Sequence, residues 1–228
     1  ELYILKGWST TDFWKYNPNT GSWTTLIGPP AAINRGASLM YYNGYLYTPR
    51  GDSVTFYRYS IADKIWTTMQ NIPSPVTYSS HNSDILENNI YYVGDAGTTG
   101  FYKFDLGTTS WSTLKTLPWP SYYVGLVANA LENKIYIFRG NGSYDFWKYD
   151  VSYADFDGLP DMPAGVGTGG DLIYDDGYLY TTRGTNTTTL YKYQIGGAWG
   201  TMASAPAGFN DDTKGIKAGE YHYYVRGS

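Results

Sequence analysis

The sequence predicts an all-β chain: a single β-propeller of five four-stranded blades, closed by strands from both ends. Three observations predict it. A Tyr-led motif recurs at Tyr3, Tyr47, Tyr91, Tyr136, Tyr180 and Tyr223 in steps of 43 to 45 residues. An aromatic–basic–aromatic triplet keeps the same step, from Trp14-Lys15-Tyr16 through Tyr57-Arg58-Tyr59, Tyr102-Lys103-Phe104 and Trp147-Lys148-Tyr149 to Tyr191-Lys192-Tyr193. A bulky aromatic follows each triplet: Trp23, Trp66, Trp111, Phe156 and Trp199. Three landmarks on one period mark a repeat architecture.

Each period reads as four short strands, called A to D. In the second, Leu39–Tyr42, Tyr45–Pro49, Thr55–Tyr59 and Ile65–Met69 are β-branched and aromatic. Turn residues such as Asn43-Gly44 and Gly51-Asp52 separate them. A Pro-rich stretch once per period, as at Pro29-Pro30 and Pro73/Pro75, carries the chain from the outer D strand to the next unit. Helical periodicity is absent, so a propeller fits where a helical solenoid of similar period does not. The repeats run over about 13–53, 54–97, 98–142, 143–186 and 187–228, with an extra strand in 1–7.

Composition narrows the function. The chain has 228 residues, net charge −4, 16% charged and 18% aromatic residues. Disordered chains lack such aromatic surface, and nucleic-acid binding draws on a dense basic patch. No apolar run reaches the roughly 20 residues of a spanning helix. The cysteine count of zero removes disulfides, thiolate metal sites and cysteine nucleophiles. Two histidines, His81 and His222, offer little for a histidine metal site, so no metal and no cofactor is expected. The Tyr-, Gly-, Thr- and Asn-rich, weakly charged composition suits a secreted or cell-surface protein. Asn141-Gly142-Ser143 and Asn186-Thr187-Thr188 are glycosylation sequons. The chain starts at Glu1 without Met or an apolar leader, which reads as a processed protein or a fragment.

The pattern resembles the kelch repeat family over nearly the whole chain. Lys134–Gly140, Trp147–Asp150 and Trp199 fall where kelch blades carry the second strand with its Gly pair, the third-strand aromatic and the fourth-strand Trp. Here the Gly pair is mostly Arg-Gly, as at Arg50-Gly51. The resemblance implies a propeller and suggests protein interaction as one role. Kelch oxidases hold copper with Cys, Tyr and His, which a chain without Cys cannot do. Sialidase propellers carry a Ser-x-Asp-x-Gly-x-x-Trp box that is absent here.

Strand counting leaves a remainder. There are five A strands, around Leu39, Ile85, Ala128, Leu172 and Ile216, and five C and five D strands, but six B strands. The chain opens with one (Leu2–Lys6) and closes with one (Tyr221–Arg226). Five blades leave one B strand over. Six blades would require one of two strands and one of three. The remaining strand, with Leu2, Tyr3, Ile4 and Leu5 at one end and Tyr223 and Tyr224 at the other, presents a sheet edge. It adds to its own closing blade, exchanges with a second molecule, or belongs to a longer propeller. Self-association through this strand, giving an oligomer or filament, is the leading functional expectation; a lectin-like propeller is the alternative.

Catalysis is not expected. Glycosidase chemistry needs two carboxylates flanking a sugar bond, and Asp84, Asp171 and Glu132 do not form a recognisable set. Asp155-Phe156-Asp157-Gly158 and Asp175-Asp176-Gly177 read as turns. One weak ligand constellation remains. Lys6, Arg50, Arg139, Arg183 and Arg226 hold equivalent places at the ends of B strands, with Gly94-Asp95 breaking the series in the third period. Converging there, they would favour an anion or an acidic sugar at a channel mouth. The structural reading is that each ties down its own loop.

Overall fold

A computed structural model of the protein describes residues 1–75, 77, 81–94, 97–211 and 213–226. Asp95 lies outside these. The fold is an all-β, five-bladed propeller without helices among the described residues. Its four complete blades are antiparallel sheets. They comprise β4 (Met40–Tyr42), β5 (Tyr45–Pro49), β6 (Phe56–Ser60) and β7 (Ile65–Thr68); β8 (Ser83–Leu86), β9 (Asn89–Val93), β10 (Phe101–Asp105) and β11 (Ser110–Thr113); β12 (Gly125–Asn129), β13 (Lys134–Phe138), β14 (Phe146–Asp150) and β15 (Asp155–Gly158); and β16 (Asp171–Asp175), β17 (Tyr178–Thr182), β18 (Leu190–Gln194) and β19 (Trp199–Thr201). Both chain ends supply the closing position, with β1 (Leu2–Leu5), β2 (Phe13–Asn17) and β3 (Ser22–Thr25) from one end and β20 (Lys214–Ala218) and β21 (Tyr221–Val225) from the other.

Blade-to-blade packing explains the aromatic landmarks. Strand residues alternate faces, and both faces of a blade meet a neighbour. Phe13 of β2 points to the next blade, where Tyr59 and Trp66 meet it edge-on at ring-centroid distances of 5.0 and 5.3 Å. Phe56 repeats this with Phe104 and Trp111, and Phe146 with Tyr193 and Trp199. Such pairs add about 0.5–1.5 kcal/mol each beyond their area burial. The D-strand indole also reaches back along the chain: Trp66 donates to Ile27 O, Trp111 to Gln70 O and Trp199 to Pro160 O. Two of the triplet cations lie on tyrosines, Arg58 4.6 Å from the Tyr45 ring centroid and Lys192 Nζ 3.6 Å from that of Tyr178.

At the closing position the strands stay in two sheets. β1 pairs with β2, Leu2 opposite Tyr16 and Leu5 opposite Phe13, and β21 pairs with β20. Each B strand is held by the neighbour that a short turn gives it. Burial records the consequence. β5, β9 and β13 are buried along all but their first residue, whereas β1 is half-buried throughout and both ends of β21 are exposed.

Trp23 departs from its counterparts: it is 58% exposed, where Trp66, Trp111, Phe156 and Trp199 are half-buried. It lies on the face of β2–β3 that Tyr59 and Trp66 use in the next blade, and no Phe from a preceding C strand packs on it. Among the described residues only Tyr16 of its own sheet does, at 4.8 Å.

Candidate functional site

The separation of the terminal sheets leaves a cavity of about 580 Å³ between them. The whole of β1 lines it, with Ile216 of β20 and Tyr223 and Val225 of β21 opposite. Ile33 and Leu39, from the chain leading into β4, add further apolar surface. Ile216 and Val225 are 53% and 48% exposed, because the residues that would cover them in a complete blade are absent from this position. Trp8 and Trp14 also border the cavity. Arg35 stands 4.4 Å over the Trp8 ring.

The polar side of the wall comes from different elements. Lys6 follows β1, Lys214 opens β20 and Arg226 follows β21. Ser38, Thr48 and His81 border it as well. Lys6 lies 3.6 Å from Asp12 in an exposed pair. Arg226 has no ion-pair partner among the described residues. Among the described residues that line it there is no Asp or Glu.

His81 is held from behind. Its Nδ1 donates to Asp171 Oδ1, and the Asp171 side chain is fully buried. The other Asp171 oxygen accepts the backbone N–H of Gly215 in β20. Asp84 makes the equivalent link between an earlier pair of blades, with Oδ2 accepting from Ala128 N and Oδ1 from Ile85 N, both at 2.8 Å. Burial pushes the Asp84 carboxyl above its usual range, and the Asp171 charge adds to that push. His81 and the two N–H donors oppose it. Two such acids on A strands therefore bind the next A strand, and His81 draws β8, β16 and the cavity together.

The residues singled out from sequence divide cleanly. Leu2, Tyr3, Ile4, Leu5, Tyr223, Lys6 and Arg226 meet at this one cavity. Tyr224 does not: it packs on Phe209 at 5.6 Å, and burial raises its hydroxyl pKa. Arg50, Arg139 and Arg183 do not line the cavity; Arg139 pairs within its own loop, whereas Arg50 and Arg183 each reach a carbonyl of the linker before their blade. Arg50 Nε donates to Ala32 O at 3.0 Å and Arg183 Nε to Gly165 O at 3.4 Å. Arg139 pairs with Asp145 at 3.1 Å. Asn141 and Asn186 sit exposed in turns, with φ of 53° and 56°. Glu132 accepts from Asn129 and Tyr136. Sequence reasoning missed His81, Lys214, Trp8 and Trp14 as cavity residues. His81, Lys214 and Trp8 match no landmark of the repeat, and Trp14 belongs to the triplet, which the repeat marks as a blade position and not as a cavity residue.

No protein-family model and no curated protein matches the chain. Among solved structures it is similar to one titled "Structure of YjhT", with a TM-score of 0.65 and 14% identity. The match covers 82% of this chain and 73% of that one. At this identity the likeness shows the fold, a β-propeller. The kelch family rests on the motif resemblance alone.

Proposed function

We propose that the protein is a non-catalytic propeller that associates with further copies of itself through the seam between its terminal sheets. One observation carries this reading: the B strands β5, β9 and β13 are buried beyond their first residue, while those at both chain ends are left open. Strand addition at such an edge draws affinity from main-chain pairing and register from alternate side chains, here Tyr3 and Leu5 on β1. A strand given by one copy to the next makes a heterologous contact that need not close, so filaments are in reach. The carboxylates that could have served catalysis support the non-catalytic reading, because Asp84, Asp171 and Glu132 are all committed to internal hydrogen bonds. Weakly charged composition and the two exposed sequons favour an extracellular setting; a glycosidase-sensitive mass on the native protein would test that. Sedimentation tests association. The full-length protein should form oligomers that grow with concentration, and deletion of residues 1–6 should give a folded monomer. A full-length monomer at high concentration would overturn the reading.

A second reading, carbohydrate binding, is favoured by Trp8 and Trp14, whose indoles border the cavity and could stack on a sugar ring. Glycan-array binding lost on Trp8→Ala would favour it.

A further inference from the structure

We infer that the seam cavity is a binding site for a small amphipathic anion, a molecule with an apolar body and one carboxylate, sulfonate or phosphate group. This inference does not rest on self-association. At about 580 Å³ the cavity is of the size that small-molecule sites have. Its walls fix the chemistry of the occupant. Leu2, Ile4, Leu39, Ile216 and Val225 offer apolar contact on opposing sides, and burying such surface drives binding in proportion to area. The cations Lys6 and Arg226 come from the two chain ends, Lys6 with Asp12 3.6 Å away and Arg226 with no ion-pair partner among the described residues, and no described lining residue is acidic.

That imbalance stands out in a protein of net charge −4. A cavity bounded by low-dielectric walls and charge of one sign concentrates ions of the opposite sign. A neutral apolar guest would strip water from the cations and offer no charge in return, and a cationic guest would be repelled. A fully polar anion would waste the aliphatic walls. Ser38, Thr48 and His81 add hydrogen-bonding groups. Asp171 fixes the His81 ring, so that group is pre-oriented.

Two dyes of similar shape test the inference on the full chain. 8-Anilinonaphthalene-1-sulfonate carries the anion, and N-phenyl-1-naphthylamine lacks it. The sulfonate should bind at one site per chain, at least about tenfold more tightly than the neutral dye, the worth of one well-placed charge-assisted contact. Arg226→Met should reduce that preference without altering neutral-dye binding. Arg226 is exposed and forms no ion pair among the described residues, so this variant should fold. Val225→Glu, which adds a carboxylate to the wall, should reduce sulfonate binding further. Equal affinity for the two dyes, or sulfonate binding indifferent to both variants, would overturn the inference. Sedimentation of the same samples separates the outcomes, since dye selectivity in a monomer upholds the site while self-association fails.

Discussion

Asp84 Oδ2 accepts the backbone N–H of Ala128 at 2.8 Å, across a chain separation of 44 residues, one full repeat. Asp171 and Gly215 stand in the same relation, again 44 apart. A side chain on one inner strand thus takes up a main-chain donor on the next, joining blades near the axis where sheets alone do not connect.

Removing this acceptor separates its two effects. Asp84→Ala leaves the Ala128 donor unpaired and should cost about 1–3 kcal/mol of stability. Asp84→Asn keeps an oxygen there and removes the charge. Because the folded carboxyl titrates above its unfolded value, its ionisation opposes folding: the favourable contribution is complete below the unfolded pKa and is lost as pH rises through the folded one. Asp84→Asn should therefore gain stability relative to the native protein as pH rises from the acid range to neutrality. Denaturant melts at several pH values check this, and a difference that ran the other way would refute it.

The D-strand indoles allow a comparison within one molecule. Trp66→Phe, Trp111→Phe and Trp199→Phe each lose a hydrogen bond to a carbonyl of the preceding linker, at about 0.5–1.5 kcal/mol apiece. Trp23→Phe loses no such bond among the described residues and should melt within about 0.5 kcal/mol of the native protein, as surface substitutions do. If Trp23→Phe cost as much as Trp66→Phe, the seam would be closed in solution.

The Arg-Gly step has a backbone reason. Gly51 has φ of 75°, and a Cβ there would sit 2.1 Å from the carbonyl oxygen of Arg35. Gly44 has φ of 82° but open space around it. Gly44→Ala should cost only the left-handed strain, about 1–2 kcal/mol, and Gly51→Ala clearly more, because main chain must move. Thermal melts of the two variants rank them directly.

The fold was legible because the landmarks answer contacts that recur from blade to blade: Tyr59 on Phe13, Trp66 on Ile27, Gly51 under Arg35. A repeat exposes interactions of that kind by periodicity alone. The seam was only half legible. Strand counting found the extra B strand, but which partner each copy takes is settled by tether length, and the short turns keep β1 on β2 and β21 on β20. The cavity lining was less legible still. His81 meets Asp171 across 90 residues, and Lys214 and Trp8 occur at places no other repeat shares. Such contacts belong to the opening in the ring, where the period carries no information.

The last sheet depends on acid–base pairs, which makes its attachment sensitive to pH. Asp175 at the end of β16 takes Lys217 Nζ from β20 and His222 Nε2 from β21, the latter at 2.9 Å. The Lys217 hydrogen bond holds the Asp175 carboxyl below its usual range; burial opposes this, and His222 and the nearby positive charges add to it. A depressed carboxyl stabilises the folded form fully above its unfolded pKa, near 4, and loses that contribution as pH falls through the folded value. Lowering pH below about 4 should therefore release β20–β21 before the complete blades. Hydrogen exchange reads this by segment. After correction for intrinsic rates, amides of 214–218 and 221–225 should lose protection several-fold more than those of β12 and β13 between pH 6 and pH 3. Asp175→Asn should exchange faster in the last sheet already at pH 6 and show little further change on acidification. Parallel loss of protection in all sheets, or an unchanged acid response in Asp175→Asn, would mean that other contacts, such as Phe209 on Tyr224, hold the last sheet in place.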